Sequence, residues 1–127
     1  LLFYLNLVVV YLGLGQKSEA WEALRHVLRR TGQIKEYWTK LCIAANCALL
    51  LLAEGQLERA VELNTLFASS ALAANSVWYN DVYTRPVEAA ATVLPADIAA
   101  AARERGRQRT LDVTVRELAL EFGAENG

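Results

Sequence analysis

Hydrophobic and polar residues alternate along the chain in blocks of helical length, and the blocks repeat. Residues 1–14 and 41–53 are almost entirely apolar, and each block runs into Gly-Gln followed by an amphipathic stretch. A shift of forty residues superposes 1–30 on 41–70, matching Leu1/Leu41, Asn6/Asn46, Leu12/Leu52, Gly15/Gly55, Gln16/Gln56, Ala20/Ala60 and Glu22/Glu62. Glycine ends a helix by adopting a left-handed conformation without steric cost. The pattern therefore predicts two helical hairpins that form part of a helical-repeat array.

The repeat sets the predicted boundaries of the two hairpins. The first covers 1–31, with helices over 1–14 and 17–30, and the second covers 34–73, with helices over 34–53 and 57–72. The β-branched run Val8-Val9-Val10 alone is typical of a strand. The length of the apolar block and the glycine that follows it favour a helix instead.

The C-terminal region, 76–123, predicts three further helices that cap the array. Ser76 is placed to cap the first, and Pro86 kinks or restarts it. Pro95 begins the second helix, Gly106 ends it, and a third follows. The predicted fold is therefore all-α with about seven helices in a single helical-repeat domain, and 123–127 is predicted to be a frayed end.

Composition narrows the classes of function. Hydrophobic residues make up 54% of the chain and charged residues 21%, which is typical of a folded domain and not of a disordered chain. A net charge of -1 disfavours binding to nucleic acid or to an acidic membrane by bulk electrostatics. The apolar blocks are shorter than the roughly 20 residues of a spanning helix. We therefore expect a cytoplasmic protein without a membrane partner and, since the sequence contains no Met, a fragment of a larger chain.

The chain offers little for catalysis or metal binding. Cys42 and Cys47 lie five residues apart on one predicted helix, so their side chains point to different sides, and His26 is the only histidine. This favours reduced core cysteines over a disulfide or metal site. No phosphate-binding glycine loop or zinc motif is present. We expect neither an enzyme nor a cofactor.

Several residues carry a family resemblance. The segment Tyr4-Leu5-Asn6-Leu7 with Tyr11, Gly15, Ala20, Leu24 and Val27 resembles a tetratricopeptide repeat, and Ala44, Cys47, Ala48, Leu51, Gly55, Ala60 and Phe67 form a looser second copy. Asn64 occupies a position that is usually aromatic in the family. The forty-residue period is similar to the longer repeats of large bacterial signalling ATPases and transcriptional activators.

Three short C-terminal segments extend the resemblance. Leu94-Pro95-Ala96-Asp97-Ile98, the arginine-rich stretch 101–107 and Thr110-Leu111-Asp112 look like the extreme C-terminus of bacterial multidomain regulators. Such proteins carry an ATPase module and a helical-repeat arm. The resemblance implies an arm that binds a protein or peptide for assembly or signal sensing. The alternative is a domain that senses a small-molecule effector.

The resemblance also implies a binding groove lined by the first helix of each hairpin. Asn6 and Asn46 occupy the positions from which an asparagine in this family hydrogen-bonds to the backbone of a bound peptide. Tyr4 is expected to line the same groove. An amide suits the task because it offers a donor and an acceptor together. The alternative is an asparagine that bonds a neighbouring helix or faces solvent.

The most aromatic stretch offers a second candidate surface. Trp78, Tyr79 and Tyr83 are residue types that are enriched at binding hot spots. The alternative is that the helix docks with them onto the repeat as a cap, because the end of a helical array must be covered and buried aromatic side chains dominate cores. We favour the docking interpretation.

Arginines near Gly106 suggest a helix-turn-helix. They are Arg103, Arg105, Arg107 and Arg109. The helix that would read DNA carries Asp112, Glu117 and Glu121 against Arg116 alone, a net charge of 1 - 3 = -2. An acidic helix is repelled by phosphates. DNA binding is therefore disfavoured, and Arg105 and Arg107 remain as an alternative interaction surface.

The first hairpin predicts self-association. Its first helix is apolar nearly all round, and in a fragment the hairpin lacks the neighbour that would precede it in an array, so we expect it to expose Leu1, Phe3 or Val10. A homodimer through this hairpin is the expected consequence.

Overall fold

The helices follow the predicted order. The computed structural model describes residues 1–123, and the remainder of the predicted frayed tail lies outside the described residues. The helices are α1 (Leu2–Gly13), α2 (Lys17–Leu28), α3 (Tyr37–Ala53), α4 (Leu57–Ala68), α5 (Ala71–Ala74), α6 (Val77–Tyr79), α7 (Arg85–Ala91), α8 (Ala96–Gln108) and α9 (Leu111–Phe122). A 3₁₀ turn (Thr31–Gln33) precedes α3, and a π-helical segment (Asn80–Thr84) joins α6 to α7. No strand occurs in the described range, which confirms the all-α class.

The two repeated glycines end α1 and α3 in the same way. Gly15 has φ of 75° and Gly55 has φ of 83°. The Gln16 amide donates to the Tyr11 carbonyl at 2.8 Å, and the Gln56 amide donates to the Leu51 carbonyl at 2.9 Å. These bonds span six residues, as in the helix-ending motif that places glycine in the left-handed region. Each glycine turn joins two helices that pack against each other, α1 with α2 in the first hairpin and α3 with α4 in the second.

Helix α3 is the centre of the core. Every residue from 41 to 51 is buried, since α1, α2, α4, α7 and α9 all pack against this helix. An element covered on all sides has no need of a polar face. This explains why α3 is apolar nearly all round, as predicted.

The described chain has eight helices when 77–91 is counted as one continuous helix, one more than predicted. The extra helix is α5, which the sequence pattern does not separate from α4. The Ser70 hydroxyl accepts a hydrogen bond from the Ala73 amide at 3.2 Å and so caps α5. Serine is a strong helix-starting residue because its side chain satisfies a free amide of the first turn.

Pro86 neither breaks nor restarts the helix that contains it. The helix widens over 80–84 and continues through Pro86 to Ala91. Proline has no amide proton, and its ring collides with the carbonyl four residues earlier in a regular helix. The π-helical segment opens the backbone just before Pro86 and so accommodates the ring.

The C-terminal helices contact both hairpins. Helix α8 packs along α4, and α9 packs on α3, on α2 and on the 3₁₀ turn. At the end of α9 the Phe122 ring lies 5.0 Å from the Trp21 ring. The Arg29 guanidinium donates to the Gly123 carbonyl at 3.1 Å. The end of the described chain thus lies against the first hairpin.

Candidate functional site

The structure separates the two asparagines of the predicted groove. Asn6 is exposed on α1, whereas Asn46 has 0% exposure on α3. The Asn46 amide donates to the Cys42 carbonyl at 2.8 Å and to the Tyr83 hydroxyl at 3.1 Å. The 77–91 helix therefore covers Asn46, and the two amides do not line one open surface.

A second buried asparagine lies on the facing helix. Asn64 of α4 is buried, and neither its amide nitrogen nor its carbonyl oxygen has a hydrogen-bond partner within the described structure. The Asn46 carbonyl oxygen also has none there. Burial raises the pKa of the neighbouring Tyr83 hydroxyl, although the Asn46 hydrogen bond opposes this. The hairpin thus contains polar groups that solvent does not reach.

Tyr4, the third predicted groove residue, lies on another face. Its ring stacks on the His26 ring with centroids 3.7 Å apart. A cavity of about 260 Å³ between α1 and α2 is lined by Tyr4, Leu7, Tyr11, Glu19, Glu22, Ala23 and His26. Desolvation and then the charges of Arg30 and Arg29 lower the pKa of His26. A lowered pKa favours the neutral imidazole, the form that stacks here on the Tyr4 ring.

Exposed apolar residues of α1 and of the residue after it line up with the half-buried Leu7 in one stripe. Leu1, Phe3 and Val10 are exposed, as predicted for the first hairpin. Phe3, Leu7, Val10 and Leu14 follow one another at spacings of four, three and four residues. We call this set the α1 seam. Leu7 and Leu14 were not among the predicted exposed residues, although their helical spacing from Phe3 places them on the same side of the helix.

The repeat allows the α1 seam to be compared with its own counterpart. Phe3 is 67% exposed, Val10 52% and Leu14 64%. Forty residues later, Ile43, Cys47 and Leu50 occupy the positions of Phe3, Leu7 and Val10, and each has 0% exposure. The same face that is packed inside the molecule on α3 is thus open to solvent on α1.

The aromatic stretch is divided between core and surface. The Tyr83 ring is buried 5.5 Å from the Phe67 ring, and Tyr79 is half-buried 5.7 Å from Phe67. Trp78 is exposed, with its ring 5.3 Å from Tyr79. Tyr83 and Tyr79 therefore dock the 77–91 helix onto α4, and Trp78 is the member of this set that a partner can reach.

The arginines near Gly106 are bonded to carboxylates of the same chain. Arg105 lies 2.8 Å from Glu62, and Arg107 lies 3.2 Å from Glu104. Arg103 pairs with Glu88 at 2.7 Å, and Arg109 pairs with Glu62 at 2.6 Å. A guanidinium held by an internal carboxylate is not available to a phosphate without losing that bond. The contacts of Arg103, Arg105 and Arg109 favour a role in holding α8 in place, whereas the Arg107–Glu104 pair lies within α8.

The two cysteines are free and buried. Burial raises the pKa of both thiols, and the Cys42 thiol also contacts the Tyr79 hydroxyl at 3.9 Å. Within residues 1–123 there is no group of three or more metal-ligating side chains. None of the helices described has the length and apolarity that crossing a bilayer requires.

Comparison with known proteins finds no match among family models, curated proteins or solved structures.

Proposed function

We propose that this protein is a protein-binding helical-repeat module and that the α1 seam is the surface through which it assembles. One observation carries the proposal: Phe3 and Val10 are exposed where their repeat counterparts, Ile43 and Leu50, are packed. Spacings of four and three residues are those of helices that pack side by side. The expected partner is therefore a helix that lies along α1.

The surroundings of the seam favour the same function. At the beginning of α1 a cavity of about 350 Å³ lies between Leu1, Leu2, Phe3, Glu36, Trp38 and Thr39. It continues the apolar surface toward Trp38, which is itself exposed. Exposed tryptophan and aromatic residues are enriched among the residues that dominate binding energy.

A second copy of this chain is the partner we propose first. Helix α1 contains no charged residue. Two copies of α1 therefore meet without repulsion between like charges, and the apolar seam of each covers that of the other. In the signalling regulators that the sequence resembles, such an arm serves assembly or signal sensing, and we extend that role to this chain.

Self-association is tested by sedimentation at increasing protein concentration. We expect a dimer that the double variant Phe3→Glu/Val10→Glu dissociates, with an affinity lower by more than about a hundredfold, because a carboxylate in an apolar interface costs several kcal/mol. The matched control is Val77→Glu/Val93→Glu, which changes two apolar residues elsewhere that are even more exposed than Phe3 and Val10. A wild-type monomer at millimolar concentration, or a control that dissociates the dimer equally, would contradict the proposal.

A further inference from the structure

A second groove, on another part of the surface, combines apolar walls with charged side chains, unlike the wholly apolar α1 seam. It lies between the 3₁₀ turn and α9 and has a volume of about 500 Å³. Ile34, Val115, Ala119 and Leu120 give it apolar walls, and Lys35, Lys40, Asp112 and Arg116 supply its charged groups. This groove shares no lining residue with the α1 seam. An inference about it therefore does not depend on the proposed assembly.

Two cations of this groove, Lys35 and Arg116, form no ion pair within the described part of the chain, unlike most lysines and arginines. Ten of the thirteen lysines and arginines lie within 4.0 Å of a carboxylate: Lys17, Arg25, Arg29, Lys40, Arg59, Arg85, Arg103, Arg105, Arg107 and Arg109. Among the described residues, the three without such a pair are Arg30, Lys35 and Arg116. Arg30 donates to the His26 carbonyl at 2.7 Å. Two of the three thus line this one groove.

An ion pair crosses the same groove. Lys40 of α3 binds Asp112 of α9 at 2.9 Å. The hydrogen bond and charge of Lys40 lower the pKa of Asp112, and the charge of Arg116 contributes. Three cations face one carboxylate here, so the local charge is 3 - 1 = +2 in a chain whose net charge is -1. The groove therefore favours an anion.

The dimensions of the groove favour a small molecule. Its α9 wall runs from Asp112 to Leu120, a rise of about 12 Å. A partner helix that packed along α9 would need a groove longer than this. A volume of about 500 Å³ lies in the range of small-molecule sites, which combine apolar walls with a few polar groups.

We propose that this groove binds a small anionic amphiphile, a molecule with one carboxylate and a compact apolar body. The apolar body lies on Val115, Ala119 and Leu120. The carboxylate lies between Lys35 and Arg116, the two cations of the groove that form no ion pair within 4.0 Å among the described residues. Arginine in particular binds a carboxylate through two parallel hydrogen bonds.

The test uses octanoate and naphthoate as probes, with octanol and naphthalenemethanol as neutral analogues. Affinity is measured by calorimetry, and the site is located by amide NMR shifts. We expect saturable binding of at least one carboxylate probe, shifts confined to 31–40 and α9, and binding of the neutral analogue weaker by about tenfold or more. Binding that is equal for the acid and the neutral analogue would overturn the proposal, as would binding of neither acid.

Two variants test the cations separately. Arg116→Glu and Lys35→Glu are each expected to weaken carboxylate binding by about tenfold or more. Both side chains are exposed, so the fold is retained. The matched control is Arg107→Glu on α8, which should bind the probes like the wild type. If Lys35→Glu and Arg116→Glu bind as tightly as the control, the groove is not the anion site.

Discussion

At the scale of single residues, two buried asparagines differ in their surroundings. Asn46 donates two hydrogen bonds, to the Cys42 carbonyl and the Tyr83 hydroxyl. Asn64 is equally buried and makes none within the described structure. Burial of an unpaired amide costs free energy. The two hydrogen bonds of the Asn46 amide nitrogen recover part of that cost, although the Asn46 carbonyl oxygen has no partner within the described structure.

We therefore predict that Asn64→Leu stabilises the protein and that Asn46→Leu destabilises it. The expected changes in the free energy of unfolding are about 1–2 kcal/mol in opposite directions, because leucine removes an unpaired polar group at one site and two hydrogen bonds at the other. Urea unfolding followed by circular dichroism measures both. Loss of stability in Asn64→Leu would mean that the amide has a partner, such as a buried water.

Asn6 and Asn46 show which features of the structure the sequence predicts and which it does not. The repeat predicted the hairpins and both glycine turns from a pattern of local residues. It did not predict that Asn46 is covered. Asn6 and Asn46 occupy equivalent positions in the sequence, and the difference arises from Tyr83, which lies 37 residues beyond Asn46 and packs over it only in the folded chain.

At the scale of elements, Gly106 has a role other than the predicted one. We expected it to end its helix, but α8 continues to Gln108 and Gly106 is buried within it. A Cβ atom at this position would collide with the Glu62 carbonyl oxygen and would lie 2.8 Å from the Thr65 Cβ atom. The absence of a side chain therefore allows α8 to lie directly on α4. A sequence does not distinguish a glycine that ends a helix from one that lets two helices approach.

We predict that Gly106→Ala destabilises the protein by about 2 kcal/mol or more, because the α4 backbone cannot move away without disturbing the core. This outweighs the higher helix propensity of alanine, worth about 1 kcal/mol. Gly32→Ala is the control, since Gly32 has no atom within 4 Å of an added Cβ and no positive φ. The free energy of unfolding in urea distinguishes the two. Equal stability of the two variants would show that α8 does not depend on this close contact.

At the scale of the whole molecule, three acidic side chains tie the C-terminal helices to the hairpins. Glu62 of α4 accepts from Arg105 at 2.8 Å and from Arg109 at 2.6 Å. Glu121 of α9 binds Arg59 through two hydrogen bonds of 2.6 and 2.7 Å. Asp112 completes the set through Lys40. We call these contacts the carboxylate clasp.

The clasp makes stability depend on pH. Burial alone would raise the pKa of Glu62, but the hydrogen bonds and charges of Arg105 and Arg109 outweigh it and lower that pKa below 4.5. The hydrogen bond from Arg59 likewise lowers the pKa of Glu121. The unfolded chain then takes up these protons at a higher pH than the folded protein does. The stabilisation is complete above the unfolded value and is lost as the pH falls through the folded value.

We predict that Glu62→Gln costs about 1–2 kcal/mol at neutral pH, because it removes the charge from two hydrogen bonds to arginine. We also expect its stability to fall less than that of the wild type as the pH is lowered through about 4.5. Urea unfolding over a series of pH values measures both quantities. Glu19→Gln is the control, since Glu19 is exposed and belongs to no ion pair within residues 1–123. If Glu62→Gln and Glu19→Gln lose stability in parallel with the wild type, Glu62 does not contribute to the pH dependence. The cohesion of the C-terminal helices would then rest on apolar contacts such as those of Gly106 and Phe122.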